Sequence, residues 1–355
     1  MKIGIICFSL TGCETGEKIK QVLEQEGAEV RFAKKSKYIP DAEPVNVDAW
    51  TREQFAWASG IIFVGACGIA VRHIAPYIKS KKTDPAVLVV DECGKFVISL
   101  LSGHLGGANE LTHKVAGILE AIPVVTTATD LQDCFAVDVF ARKNDCQIFH
   151  MQAAKEMSAA LLAGKKVGFY SEFPYDGELP KRLVLCDKNG VEISSTGYGT
   201  PFEIGVAVSI YQGRKPFKRT VSIVPKIVVL GMGCRREKSA EGILKAAGDA
   251  LHQSGIYPQA VSKLVSIDLK KDEQGMLAFA QQWNLPFETY SQEELREIKG
   301  DFTPSSFVQS VTGVDNVCER SAVLGSKQGT LIQKKVSRDG VTTALAVRDW
   351  RIRFE

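Results

Sequence analysis

Two stretches, "GIIFVG" at residues 60–65 and "AVLVVD" at residues 86–91, are apolar along their length instead of at alternate positions. A strand with one wet face alternates. A strand apolar on both faces has to be covered on both, which is the situation in the middle of a parallel sheet with helices above and below it. The runs around them, "KIGIICF", "AEVRFA", "KFVISL" and "IPVVTTAT", alternate with helical patterns such as "GEKIKQVLEQE" and "GANELTHKVAGILE". The order of strands and helices predicts a layered α/β domain over residues 1–133, with the two apolar runs central.

From residue 134 to 225 the texture changes. One helix, "MQAAKEMSAALLAG", is followed by short strands divided by turn residues, so a smaller α+β middle region is expected there. A new strand, "KIVVLG", opens at Lys226 and leads through "MGCRREKS" into the helix "AEGILKAAGDALHQSG" and the strand "KLVSIDL". The fold class is therefore α/β: two three-layer α/β/α-type domains, 1–133 and 226–355, flank the middle region, and 226–355 is expected to fold by itself. A chain of 355 residues has the length for such an arrangement.

The net charge of +3 and the scatter of the 44 basic residues exclude a nucleic-acid surface as the main partner. No apolar stretch approaches the roughly 18 residues of a membrane span, and the opening "MKIGIICFSLTG" reads as a first strand and not as a signal peptide. A cytoplasmic protein is expected. Nine cysteines with no CxxC spacing argue against a disulfide framework and against a zinc site.

Three loops follow strands directly: "GACGIAVRH" after "IIFV", "SGHLGGAN" after "KFVISLL" and "GMGCRREKS" after "KIVVL". Ligands of open α/β sheets bind outside the carboxyl ends of the strands, so each loop is expected to face a site. In the third loop Gly231 and Gly233 have the spacing of a dinucleotide fingerprint, but Arg236 stands where its last glycine belongs. Asp268 also lies well beyond the roughly 20 residues at which a ribose-binding acid is expected. A nicotinamide site is excluded on that ground, and the pair Arg235 and Arg236 suits carboxylates, which guanidinium binds bidentately. His104, between Gly103 and Leu105 ahead of a helix, is the candidate for proton transfer, since an unperturbed imidazole titrates near roughly 6.5. Asp91 and Glu92 end the second apolar run, and at most one of them points into the crevice because neighbours on a strand face opposite ways.

The wording of these stretches resembles the cobalt-precorrin-5A hydrolases, the CbiG family of anaerobic cobalamin biosynthesis. The resemblance rests on "GIIFVGACGIAVRHIAPYIKSKKTDPAVLVVDECGKFVISLLSGHLGGANELTHKVAGIL", "IPVVTTATD", "VVLGMGCRREKSAEGI", "SIDLKKDEQGM" and "FTPSSFVQSVTGVDNVCERSAVLGS". It covers both outer domains, the last of which is also similar to CobE, and is weaker in the middle region. It implies a reaction in which water opens the δ-lactone between the ring A acetate and C20 of a cobalt-bound macrocycle, after which the C20 unit leaves as acetaldehyde. The implied partner is an anionic tetrapyrrole, with transient handover to other corrin-pathway enzymes. Cobalt belongs to the substrate, and no metal or cofactor of the protein's own is implied; the competing class is a non-catalytic tetrapyrrole carrier.

For that chemistry His104 is the expected base, the Gly106 and Gly107 amides the expected oxyanion donors, and Asp91 a further catalytic candidate. Gly65, Gly68, Arg72, His73, Gly103, Asn109, Gly231, Gly233, Arg235 and Arg236 are the expected substrate-binding set.

Overall fold

The structure, a computed structural model, describes residues 1–35, 37–38, 44–80, 83–103, 106–127, 134–193 and 199–354. His104 and the domain boundary drawn at residue 133 lie outside the described residues. Two compact units divide the chain, Met1–Val139 and Phe140–Glu355.

The first unit runs β1 (Lys2–Cys7), α1 (Leu10–Gln25), β2 (Glu29–Lys34), α2 (Val47–Trp57), β3 (Gly60–Val64), α3 (Cys67–Ile74), β4 (Ala86–Val90), β5 (Phe96–Leu101), α4 (Ala108–Leu119) and β6 (Ile122–Val124). Its sheet has the order β2-β1-β3-β4-β5-β6. Every residue of β3 and β4 is buried, as their unbroken apolar runs require. Ile19 and Leu23 of α1 and Leu111 and Val115 of α4 pack on one face with Ile3, Ile5 and Leu88. Val47 of α2 and Ala70 and Ile74 of α3 close the other face over Ile61, Phe63 and Val87.

One strand runs against the expectation. β5 pairs with β4 antiparallel, Val90 opposite Val97 and Val87 opposite Leu101. The connection Asp91–Lys95 is far shorter than the dozen or so residues that a parallel crossover needs, so the chain can only turn back. The loop after β5 consequently stands where β1, β3 and β4 begin. A five-residue strand separates the two edges by about 15 Å. A second difference is small: Cys7 and Cys13 are bridged, because the first turn of α1 folds back over the end of β1 with the two Cα atoms 5.4 Å apart.

The boundary helix α5 (Val137–Lys143) leads into β7 (Cys146–Phe149), α6 (Met151–Leu162), β8 (Val167–Ser171), β9 (Tyr175–Asp176), β10 (Leu183–Leu185), β11 (Ile204–Val208) and β12 (Arg219–Pro225). This middle sheet has the order β10-β8-β11-β12-β7 and is parallel except for β7. The chain continues through β13 (Val228–Cys234), α7 (Ala240–Gln253), β14 (Val261–Ile267), α8 (Gln274–Gln282), β15 (Phe287–Tyr290), α9 (Gln292–Glu297), α10 (Ser306–Thr312), α11 (Cys318–Gly325), β16 (Thr330–Arg338), β17 (Val341–Val347) and β18 (Ile352–Arg353). The C-terminal sheet is β15-β14-β13-β17-β16. Ile243 and Leu251 of α7 and Met276 and Phe279 of α8 pack on one face of it, and Cys318 and Ala322 of α11 pack on the other.

Residues 226–355 do not stand apart from the middle region. β18 pairs with β9, and the Asn144 amide holds the Arg353 backbone at both its N–H and its C=O, each at 2.9 Å. Phe354 stacks on Phe140 and meets Phe169 and Tyr175 edge-on. The last residues of the chain thus complete the core of the middle region.

Buried Glu319 ties the C-terminal fold together. Its carboxylate accepts from the Thr303 amide at 2.7 Å, the Thr303 hydroxyl at 2.8 Å and the Lys335 amide at 2.5 Å. The last bond falls where the β16–β17 register slips between Gln333 and Val336, so the bulge presents its donor to the carboxylate. Gly231 is a packing residue: a Cβ there would lie 1.9 Å from the Cys318 carbonyl and 2.8 Å from the Ala322 Cβ. Gly231→Ala should therefore lower the unfolding free energy by about 1–3 kcal/mol. Gly248→Ala, on α7 with nothing within 4 Å of the added methyl, should raise it by up to about 1 kcal/mol. Urea unfolding of the two variants checks both signs.

Candidate functional site

The edge at which β1, β3 and β4 end is built from short polar loops. Ser9 caps α1, its hydroxyl accepting from the Gly12 amide at 3.0 Å and donating to Glu92 Oε2 at 2.5 Å. Thr15 donates to the Glu92 carbonyl at 2.8 Å, which fixes that loop from a second side. Gly65 leaves β3 with its amide on the Val90 carbonyl, and Gly68 lies in the first turn of α3, one turn before the exposed Arg72. His73 Nδ1 lies 2.6 Å from Asp48 Oδ1, and the Tyr77 hydroxyl donates to the Asp48 carbonyl, so the histidine fastens α3 to α2.

Asp91 and Glu92 part company here. The Asp91 carboxylate turns back into its own hairpin and accepts from the Cys93 amide at 3.1 Å and the Phe96 amide at 2.6 Å. Glu92 is the exposed carboxylate of the pair and reaches the loop after β1.

The glycine-rich loop stands at the opposite edge. Ser102 takes a left-handed conformation, φ 60°, and its carbonyl accepts from the Ala108 amide, while the Gly103 carbonyl accepts from the Asn109 amide. Two donors of the first turn of α4 are thus taken by the loop itself. Gly107, at φ 81°, makes the turn into the helix, and a Cβ on Gly106 would lie 2.3 Å from the Ser102 Cβ. Asn109 is buried, accepting from the Ser99 hydroxyl at 2.7 Å and donating to Thr127 at 2.8 Å. The Ser102 hydroxyl is buried with no hydrogen-bond partner among the described residues. Each loop is expected at the carboxyl end of its strand; because β5 is reversed, this loop and "GACGIAVRH" stand at different edges of the sheet.

In the second unit β13 continues to Cys234, so Gly231 and Gly233 are strand residues and not loop residues. Beyond them a cleft of about 690 Å³ opens between residues 236–240, leading into α7, and residues 269–275, leading into α8. Arg236 lines it. Arg235 does not: its amide donates to the Gly340 carbonyl and its side chain lies along the β16–β17 turn. Inside the cleft Lys270 and Glu273 form an ion pair at 2.7 Å with side chains only 14% and 10% exposed. Burial raises the Cys234 thiol beside them, an effect that Lys270 opposes. Lys270 and Glu273 escaped the sequence reading, although "SIDLKKDEQGM" placed them directly after a strand.

Among the described residues no group of three or more His, Cys, Asp or Glu side chains is arranged to hold a metal, and no helix is long and apolar enough to cross a membrane. The fold defines a multidomain α/β protein with loop-built sheet edges and a cleft at the strand ends of its C-terminal sheet. Three family profiles match in sequence order: Cobalamin synthesis G N-terminal over residues 49–130, Cobalamin biosynthesis central region over 135–225 and Cobalamin synthesis G C-terminus over 228–346. A cobalt-precorrin-5A hydrolase of Salmonella typhimurium is 36% identical over 83% of this chain and 84% of its own. One of Priestia megaterium is 34% identical over 81% and 78%. The crystal structure of a cobalamin biosynthesis protein G homolog from Sulfolobus solfataricus is 23% identical, covers 98% of this chain and 97% of its own, and superposes with a TM-score of 0.41. The chain belongs to the cobalamin synthesis protein G family.

The hairpin geometry separates the two neighbouring acids experimentally. Asp91→Ala removes the acceptor of two backbone amides and should cost about 1–2 kcal/mol of stability in urea unfolding. Glu92→Ala, at an exposed position, should shift the midpoint little.

Proposed function

We propose that this protein is a cobalt-precorrin-5A hydrolase, a reading carried by the similarity to curated hydrolases of that name over more than four fifths of the chain. Water adds to the carbonyl carbon of the ring A δ-lactone, and the bond from that carbon to the ring oxygen breaks, the oxygen staying on C20, which leaves a carboxylate and a C20 hydroxyl. A base then takes the hydroxyl proton, the bond from C20 to the ring breaks with its electron pair going to the macrocycle, and acetaldehyde departs. The cobalt is part of the substrate, and the chain supplies no metal or cofactor of its own. The protein acts in the cytoplasm and hands its product to the next enzyme of the corrin pathway.

Both steps need a base and donors for a developing oxyanion. His104, in the loop after β5, is assigned the base, with the amides of Gly106 and Gly107 as donors. Arg72 and Arg236, both exposed beside strand-end loops, are assigned to peripheral carboxylates. Asp91 is withdrawn from catalysis in this proposal, since its carboxylate is engaged by its own turn. A second reading is favoured by the position of Glu92, an exposed carboxylate held by Ser9 at the other edge of the same sheet.

Acetaldehyde release from the cobalt-bearing lactone, followed through a coupled alcohol dehydrogenase, tests the assignment. His104→Asn should lower the rate by about 10²- to 10⁴-fold, the range for losing a general base, with an unchanged circular dichroism spectrum. If His104→Asn keeps the parent rate and Glu92→Gln loses it, the base is Glu92.

A further inference from the structure

We propose that Lys270, oriented by Glu273 in the cleft at the carboxyl edge of the C-terminal sheet, is the ammonium that receives a peripheral carboxylate of the macrocycle. The inference rests on the cobalt-precorrin reading and deepens it. It assigns the binding of one substrate group to residues outside the substrate-binding set expected from the sequence.

Three cations line the cleft, and they are not equivalent. Lys238 has its ammonium on the Asp339 carbonyl at 2.6 Å, where it holds the β16–β17 turn. Arg236 is exposed and has no such anchor among the described residues. Lys270 is largely buried along its stem, its ammonium held at 2.7 Å by a carboxylate that is itself 10% exposed. An ammonium has three N–H donors; Glu273 takes one and the Cys234 side chain beside it another, which leaves one for a ligand. Ordering a lysine normally costs rotamer entropy, and here the fold has already imposed that order, so an incoming carboxylate gains more of the interaction.

Glu273 occupies the cap position of α8 but makes no cap bond with its side chain. Its carboxylate turns to Lys270 instead, which marks it as a positioning residue. The floor of the cleft is set by Gly275, where a Cβ would lie 2.0 Å from the Lys238 carbonyl, so the two loops touch and no side chain can enter there. On the rim Leu269 is 67% exposed. An apolar side chain beside a buried-stem ammonium matches a ligand with an apolar ring body and carboxylates at its edge. Arg236, Lys238 and Lys270 are balanced by Glu237, Asp272 and Glu273, which suits one singly charged carboxylate better than a multiply charged phosphate.

The test uses the full chain and two probes: a cobalt corrin with free peripheral carboxylates, and the same corrin with those groups as methyl esters. Binding is measured by tryptophan fluorescence quenching. The parent should bind the free acid more tightly than the ester. Lys270→Met should weaken acid binding by about 10- to 100-fold, the worth of a charge-assisted contact, and leave ester binding unchanged. Lys270→Arg should recover part of the loss. If Lys270→Met leaves Glu273 uncompensated and the chain unfolds, Lys270→Met combined with Glu273→Gln removes both charges and carries the same expectation. Equal acid affinity in parent and a folded Lys270 variant overturns the assignment, and so does a parent that does not distinguish acid from ester. With the cobalt-precorrin lactone the folded variant should raise KM and leave kcat near the parent value. A parent that releases no acetaldehyde counts against the hydrolase reading itself. Parent turnover with an unchanged KM in the variant counts against Lys270 alone.

Discussion

The first unit is organised by a short turn that a single carboxylate holds. Asp91 accepts from two amides of its own hairpin, and the chain that would otherwise cross over the sheet goes back along it. Everything after β4 inherits that reversal. β6 runs parallel to β5, so Thr127 comes off the same edge as Ser102, and Asn109 can bridge the two loops from the first turn of α4. Had β5 run parallel, the glycine-rich loop would share an edge with Gly65 and Glu92. The domain instead carries polar loops at both ends of one sheet.

The central strands were legible because burial on both faces leaves an unbroken apolar run, and β3 and β4 are buried throughout. The direction of β5 was legible too, but in a different signal. Between "AVLVV" and "FVISLL" stand only Asp91 to Lys95, with a glycine at φ 67° in the turn, and such a connection cannot carry a parallel crossover. Strand composition alone does not carry that direction; connection length does. The middle sheet was harder to read: its parallel strands are short, and among the described residues no helix joins β8, β10, β11 and β12 to announce a crossover.

The glycines teach a related lesson. Gly231 and Gly233 follow a strand-like run, and spacing alone makes them look like a ligand loop. Strand β13 does not end before them, because β17 pairs with it residue by residue to Cys234. Gly231 is needed where α11 crosses the sheet, and Gly106 where Ser102 folds beneath it. A glycine that lets two backbones touch and one that lets a ligand approach look identical in sequence. Glu319 is the converse case: an acidic residue in "CERSAV" gives no sign of burial, since the Thr303 and Lys335 donors that make burial tolerable arrive from distant parts of the chain.

The electrostatics of the C-terminal cleft bear on what binding there can achieve. Lys270 and Glu273 are partly desolvated, and such pairs contribute little net stability because the desolvation cost offsets much of the attraction. What the pair provides is orientation. Over the whole molecule the net charge is only +3, so long-range steering of a polyanionic substrate is weak. A near-neutral cleft with one oriented ammonium therefore recognises a carboxylate at short range without holding the polyanion in a deep electrostatic well. A peripheral carboxylate keeps its charge throughout lactone opening and acetaldehyde loss, so its contact is equally strong in the ground and transition states. That contact sets affinity and register, and the rate has to come from groups that meet the charge developing at the lactone carbonyl and at C20.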